Sequence, residues 1–90
     1  MKKIFYISFD KPLLDVATDK KIKDMGPWFR YFGNNWLLET ELSEKQIYDR
    51  LQTIGNEFRI LIIEINIKSS WGWMPKDAWT WLNERRNKYQ

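Results

Sequence analysis

The sequence predicts one small α+β domain built in two layers, a β-sheet with helices packed on it. Three observations carry this. Stretches rich in Ile, Phe, Tyr and Trp alternate with stretches that hold helix-start signals. Gly, Pro and Asn clusters punctuate the boundaries between them. Ninety residues form one domain and leave no room for a second.

Residues 3–9 read as the first strand. Ile4, Phe5, Tyr6, Ile7 and Phe9 are β-formers, and both faces stay apolar up to Ser8. A strand apolar on both faces belongs inside a sheet. Asp10, Lys11 and Pro12 end it. Residues 13–25 follow as a helix candidate with Leu14, Ala17, Ile22 and Met25 on one side. Thr18 or Asp19 offers a cap for a shorter helix over 20–25, and Gly26-Pro27 is a stop.

Residues 28–32 and 36–41 read as two strands of a hairpin. Gly33-Asn34-Asn35 supplies the tight turn, because these residues tolerate positive φ. Ser43-Glu44-Lys45-Gln46 is a capping box opening a helix with Ile47, Leu51 and Ile54 at helical spacing. Gly55-Asn56 closes it. Residues 58–67 read as the fourth strand, with Leu61, Ile63, Ile65 and Ile67 on one face and Ile60, Ile62, Glu64 and Asn66 on the other. A last helix begins at Pro75, with Asp77 near its start and Ala78, Trp79, Trp81 and Leu82 as its apolar side. The run 84–88 reads as a solvated, cation-rich helix end.

The order is β-α-β-β-α-β plus a terminal helix. Two β-α-β halves place both main helices on one face of an antiparallel sheet. The expectation is a ferredoxin-like two-layer sandwich, with its core at 3–67 and a Trp-rich C-terminal extension at 71–88. The extra helix has three places to go: the far sheet face, a sheet edge, or a second chain.

Composition narrows the chemistry. Hydrophobic residues make up 43% and aromatic residues 17%, with six Trp, five Phe and four Tyr. In a domain this small, most of that ring area is expected in the core. The absence of cysteine excludes disulfides and thiolate nucleophiles. The absence of histidine excludes Ser–His and Cys–His catalysis and removes the commonest metal ligand. The net charge of +3 is compatible with a polyanion partner. The apolar start stops at Asp10 and Lys11 without a cleavage-site pattern, and no apolar run is long enough to span a bilayer. A cytoplasmic protein with no membrane partner is the expectation.

Asp10 is the first candidate for chemistry. A carboxylate at a strand end is suited to Mg²⁺, which takes one or two protein ligands and keeps several waters. Its structural alternative is to accept backbone N–H groups in the turn before Pro12.

The stretch Phe5-Tyr6-Ile7-Ser8-Phe9-Asp10 resembles the opening strand of the small CRISPR-associated endoribonuclease-like proteins and their SinR-like relatives. The resemblance continues through Gly26-Pro27-Trp28, Trp36-Leu37-Leu38-Glu39-Thr40, the Ser-capped helix and Ile60-Leu61-Ile62-Ile63-Glu64-Ile65. It spans most of residues 3–67 as short, degenerate matches. It implies a ferredoxin-like fold and a homodimer that brings two Asp10 carboxylates to a shared cleft, where nuclease members hold a divalent cation. The chain departs from the family in its charge-broken first helical region and its Trp-rich tail.

The second candidate is an aromatic and basic surface. Tyr6, Phe29 and Tyr31 are expected to share an open sheet face, with Arg30, Lys68 and Lys76 near it. Rings there stack bases while cations meet phosphates. The structural alternative places these rings under the terminal helix or in a dimer interface. The third candidate is Trp71-Gly72-Trp73-Met74-Pro75, whose glycine allows both rings to reach one partner. Trp79 and Trp81 point apart on a helix, so at least one of these four tryptophans is expected at an interface. Glu39, Glu41 and Glu64 join Asp10 only if strand register aligns them.

The leading expectation is a non-catalytic, homodimeric binding module for nucleic acid. A Mg²⁺-dependent endonuclease using paired Asp10 and a protein-binding inhibitor or adaptor using the Trp-rich segment are the alternatives.

Overall fold

The fold comes from a computed structural model, which describes residues 1–10, 16–52, 59–68, 72, 73 and 75–86. The elements run β1 (Lys3–Phe9), α1 (Val16–Lys23), β2 (Trp28–Phe32), β3 (Asn35–Thr40), α2 (Glu44–Gln52), β4 (Ile60–Ile65) and α3 (Lys76–Arg86). The four strands form one antiparallel sheet in the order β2-β3-β1-β4. The expected element order is therefore present. Among the described residues, α1 ends at Lys23 rather than at 25, and β4 ends at Ile65 rather than at 67. Leu14, Ile54 and the Gly55-Asn56 stop lie outside the described residues.

Register fixes what each face of the sheet carries. Phe5 lies opposite Leu38 and Ile7 opposite Trp36, while Ile4 lies opposite Glu39 and Tyr6 opposite Leu37. Alternation then sorts the core into two clusters. Phe5, Ile7, Phe9, Trp36 and Leu38 point one way, and pack with Ile22 on α1, Met25 just after it, and Ile47 and Leu51 on α2. Ile4 and Leu37 point the other way and pack with Ile67 and Trp81 of α3. α3 thus takes the far sheet face and adds a third layer to the two-layer sandwich expected for 3–67.

The caps match the signals in the chain. The Ser43 N–H donates to Gln46 Oε1 at 2.8 Å, and the Gln46 N–H donates to Ser43 Oγ at 3.2 Å. Both helices on the first face also carry exposed i,i+4 pairs, Lys20–Asp24 and Lys45–Asp49, each at 2.8 Å. The hydrogen bond, and secondarily the charge attraction, raises each ammonium above its ordinary pKa.

Gly26 is needed where α1 hands over to β2. Its φ of +152° disfavours a side chain, and a Cβ there would run into the backbone oxygen of Glu39. That close approach lets the Glu39 N–H donate to the Pro27 carbonyl at 2.8 Å. Gly33, with φ of +53°, turns the β2–β3 hairpin.

Two outcomes follow. Gly26→Ala lowers unfolding free energy by about 1–3 kcal/mol in urea titration, because strain and a backbone clash add. Ser43→Ala costs about 1 kcal/mol in the same assay, and Ser43→Asp restores most of it.

Candidate binding surface

The candidate residues divide into those the fold consumes and those it leaves in solvent. Asp10 is consumed. Its Oδ1 accepts the backbone N–H of Arg59 at 2.7 Å, and Oδ2 lies 3.8 Å from the Arg59 guanidinium. Its own N–H donates to the Arg59 carbonyl at 3.2 Å. Asp10 therefore ties the end of β1 to the start of β4. The turn before Pro12, where the structural alternative put the donors, lies outside the described residues; the donor seen is Arg59, just ahead of β4.

The acidic residues do not gather around Asp10. Glu39 lies opposite Ile4, at the other end of β1. Glu41 faces the N-terminal ammonium at 3.9 Å, and Glu64 faces Lys3 at 3.7 Å. Among the described residues, no three acidic side chains come together as a metal site.

Tyr6 and Phe29 do share a sheet face, but that face is not open. Both pack against the cluster that holds Trp81. Tyr6 donates its hydroxyl proton to Asn35 Oδ1 at 2.6 Å, and Ser8 Oγ lies 3.1 Å from the same oxygen. This corrects the expected stacking platform: central strands apolar on both faces need a cover, and α3 supplies it. Arg30 is consumed as well. Its Nε donates to the Gly33 carbonyl at 2.6 Å and Nη2 to Asn34 Oδ1 at 3.2 Å, which braces the hairpin turn. The side chain of Tyr31 and the whole of Trp71 lie outside the described residues.

Three candidates remain in solvent. Trp73 is 99% exposed. Lys68 and Lys76 flank it along the chain, and both are exposed. Trp81 is buried while Trp79, two residues earlier, is half-buried, as helical geometry requires.

The residue that sequence reasoning placed wrongly is Arg85. It belongs to the run read as a solvated helix end, yet its side chain is only 13% exposed. Its Nε sits 3.3 Å from the carboxylate of Glu39, which is 1% exposed. The two meet as charges without hydrogen-bond alignment between Nε and Oε1. The guanidinium also lies 4.0 Å from the centroid of Trp81 and donates to the Trp81 carbonyl at 3.2 Å. Next to it, Arg86 donates to the Ile67 carbonyl at 2.9 Å. A signal for this pairing existed: Glu39 shares a strand face with Leu37, so alternation turns its carboxylate towards apolar neighbours, where it needs a cation.

The concavities are shallow. A groove of about 300 Å³ is lined by Lys21, Asp24, Met25 and Arg50, beside one of about 340 Å³ that reaches Lys2 and Glu41. Lys21 and Arg50 sit in the last turns of α1 and α2, and Lys21 donates to the Arg50 carbonyl at 3.4 Å. No described helix is long and apolar enough to cross a membrane. Searches of family models, characterised proteins and solved structures return no match to this chain.

The buried pair yields a test. Arg85→Ala leaves Glu39 without this ion pair and costs about 3–5 kcal/mol in denaturant unfolding. Adding Glu39→Leu to Arg85→Ala recovers part of that loss, because no buried carboxylate is then left behind.

Proposed function

We propose that this chain is a ferredoxin-like, non-catalytic binding module that engages single-stranded nucleic acid through Trp73, with Lys68 and Lys76 meeting the phosphates. The fold part of this reading is supported by the β-α-β-β-α-β order and the strand order β2-β3-β1-β4, with both crossover helices packed on one face. The observation that carries the binding part is the exposure of Trp73, at 99%. Leaving an indole in water forgoes the roughly 1.5–3 kcal/mol that burying a large apolar side chain provides. Trp36 and Trp81 take that gain in the core. Trp73 is left to a partner, and base stacking on an aromatic ring contributes about 1–3 kcal/mol per base. The chain's charge of +3 adds a long-range attraction to polyanions.

A non-catalytic role is supported by Asp10, whose carboxylate is already engaged by Arg59. Fluorescence anisotropy with a labelled single-stranded oligonucleotide tests the reading. Trp73→Ala weakens binding about tenfold, and Lys68→Ala and Lys76→Ala each lower the salt dependence by about one counterion. Asp10→Asn, which keeps the acceptor for the Arg59 N–H, leaves binding unchanged. Mg²⁺-dependent cleavage that Asp10→Asn abolishes contradicts the proposal. Affinity for a protein partner that is insensitive to salt, with none for the oligonucleotide, contradicts it too.

A further inference from the structure

Lys68 and Lys76 are both exposed, and each is rooted in fixed backbone at one end of α3. The peptide group that joins Ile67 to Lys68 is held on both sides. Its carbonyl accepts Arg86 Nε at 2.9 Å, and its N–H donates to Asn66 Oδ1 at 2.8 Å. Ile67 itself is buried in the cluster that holds Trp81. Lys68 is thereby tied to Arg86, the last residue of α3. Lys76 is the first residue of the same helix, and its carbonyl accepts the Thr80 hydroxyl at 3.2 Å. Eleven residues at about 1.5 Å of rise put about 15 Å between the helix ends. Long helical side chains lean back towards the N-terminus, so the reach of Arg86 sets the lysine roots roughly 10–15 Å apart.

We infer that the strand bound at Trp73 runs lengthwise along α3, with one phosphate at each lysine, and that the Arg86–Ile67 tie sets the length of strand the site selects. This rests on the binding of single-stranded nucleic acid at Trp73. At about 3.4 Å per nucleotide along a stacked strand, the separation of the lysines covers about three to four steps. Trp73 comes between the two lysines in the chain, and its ring takes a base within that span. A dinucleotide is too short to meet both lysines. Arg86 touches no nucleotide in this arrangement. It is a positioning residue that acts through the peptide group ahead of Lys68. Arg85 holds the same end of α3 to Glu39 at 3.3 Å, so the helix keeps its seat when Arg86 is shortened.

Fluorescence anisotropy with labelled single strands of increasing length, from a dinucleotide to an octanucleotide, tests the inference. Circular dichroism checks the folding of each variant. Affinity rises about tenfold in a step once the strand reaches both lysines. The longer strands respond to Lys68→Ala and to Lys76→Ala, whereas the dinucleotide responds to only one of them. Arg86→Ala removes the step and leaves dinucleotide binding unchanged, and Arg86→Lys, which keeps a donor for the Ile67 carbonyl, restores it. A dinucleotide that binds as tightly as the longest strand overturns the inference. So does a folded Arg86→Ala that weakens all lengths alike, as loss of general helix stability would. Either result leaves binding at Trp73 intact, whereas a protein that binds no strand of any length overturns both.

Discussion

The constraint on which the rest depends is that β1 and β3, the two inner strands, are apolar on both faces. Phe5 and Ile7 alternate with Ile4 and Tyr6, and Trp36 and Leu38 alternate with Leu37. A sheet of this kind cannot leave either face to water. α1 and α2 meet the demand of one face. The other needs a separate cover, so the helix that lies outside the β-α-β-β-α-β core is required by the sequence at its centre. Trp81 supplies the apolar area. Arg85 neutralises the one carboxylate, Glu39, that alternation turns into this second core. A buried ion pair adds little net stability against an apolar replacement, but it penalises any other seating of α3, because misplacement strands a charge.

The same constraint decides which side chains are available for recognition. Of the rings that suggested a binding face, Tyr6 and Phe29 are spent under α3, while Trp36 is spent under α1 and α2 without having been a candidate. Three arginines follow the same pattern: Arg30 braces a turn, Arg85 pairs with Glu39, and Arg86 holds the Ile67 carbonyl. Among the side chains left exposed are Trp73, flanked along the chain by Lys68 and Lys76, and Leu61 and Ile63 on β4. Both groups lie beside the layer that the core demanded.

Much of the fold was legible in the sequence because its local signals agree with one another. Ser43 and Gln46 bond as their spacing indicates, Gly33 takes positive φ in the hairpin, and Gly26-Pro27 stops α1 where the backbone of Glu39 comes too close for a side chain. The site was less legible, since it depends on which face each residue shares and with what. Alternation puts Tyr6 and Phe29 on one face, but the covering of that face by α3 is a contact between residues far apart in the chain. Arg85 looked like a solvated cation because helix C-termini attract cations. Only its position across from Glu39 turns it inward. Leu61 and Ile63 read as part of one apolar face with Ile65 and Ile67, yet they are exposed, since a strand's periodicity does not say whether it will lie at an edge.

The central claim is a division of labour among the tryptophans, with Trp36 and Trp81 holding the two cores and Trp73 facing a partner. The most direct measurement follows the assigned indole N–H resonances of ¹⁵N-labelled protein during titration with a single-stranded oligonucleotide. The account predicts that the Trp73 resonance shifts and saturates while those of Trp36 and Trp81 stay in place. Shifts at Trp81 or Trp36 that precede or replace the one at Trp73 would contradict it.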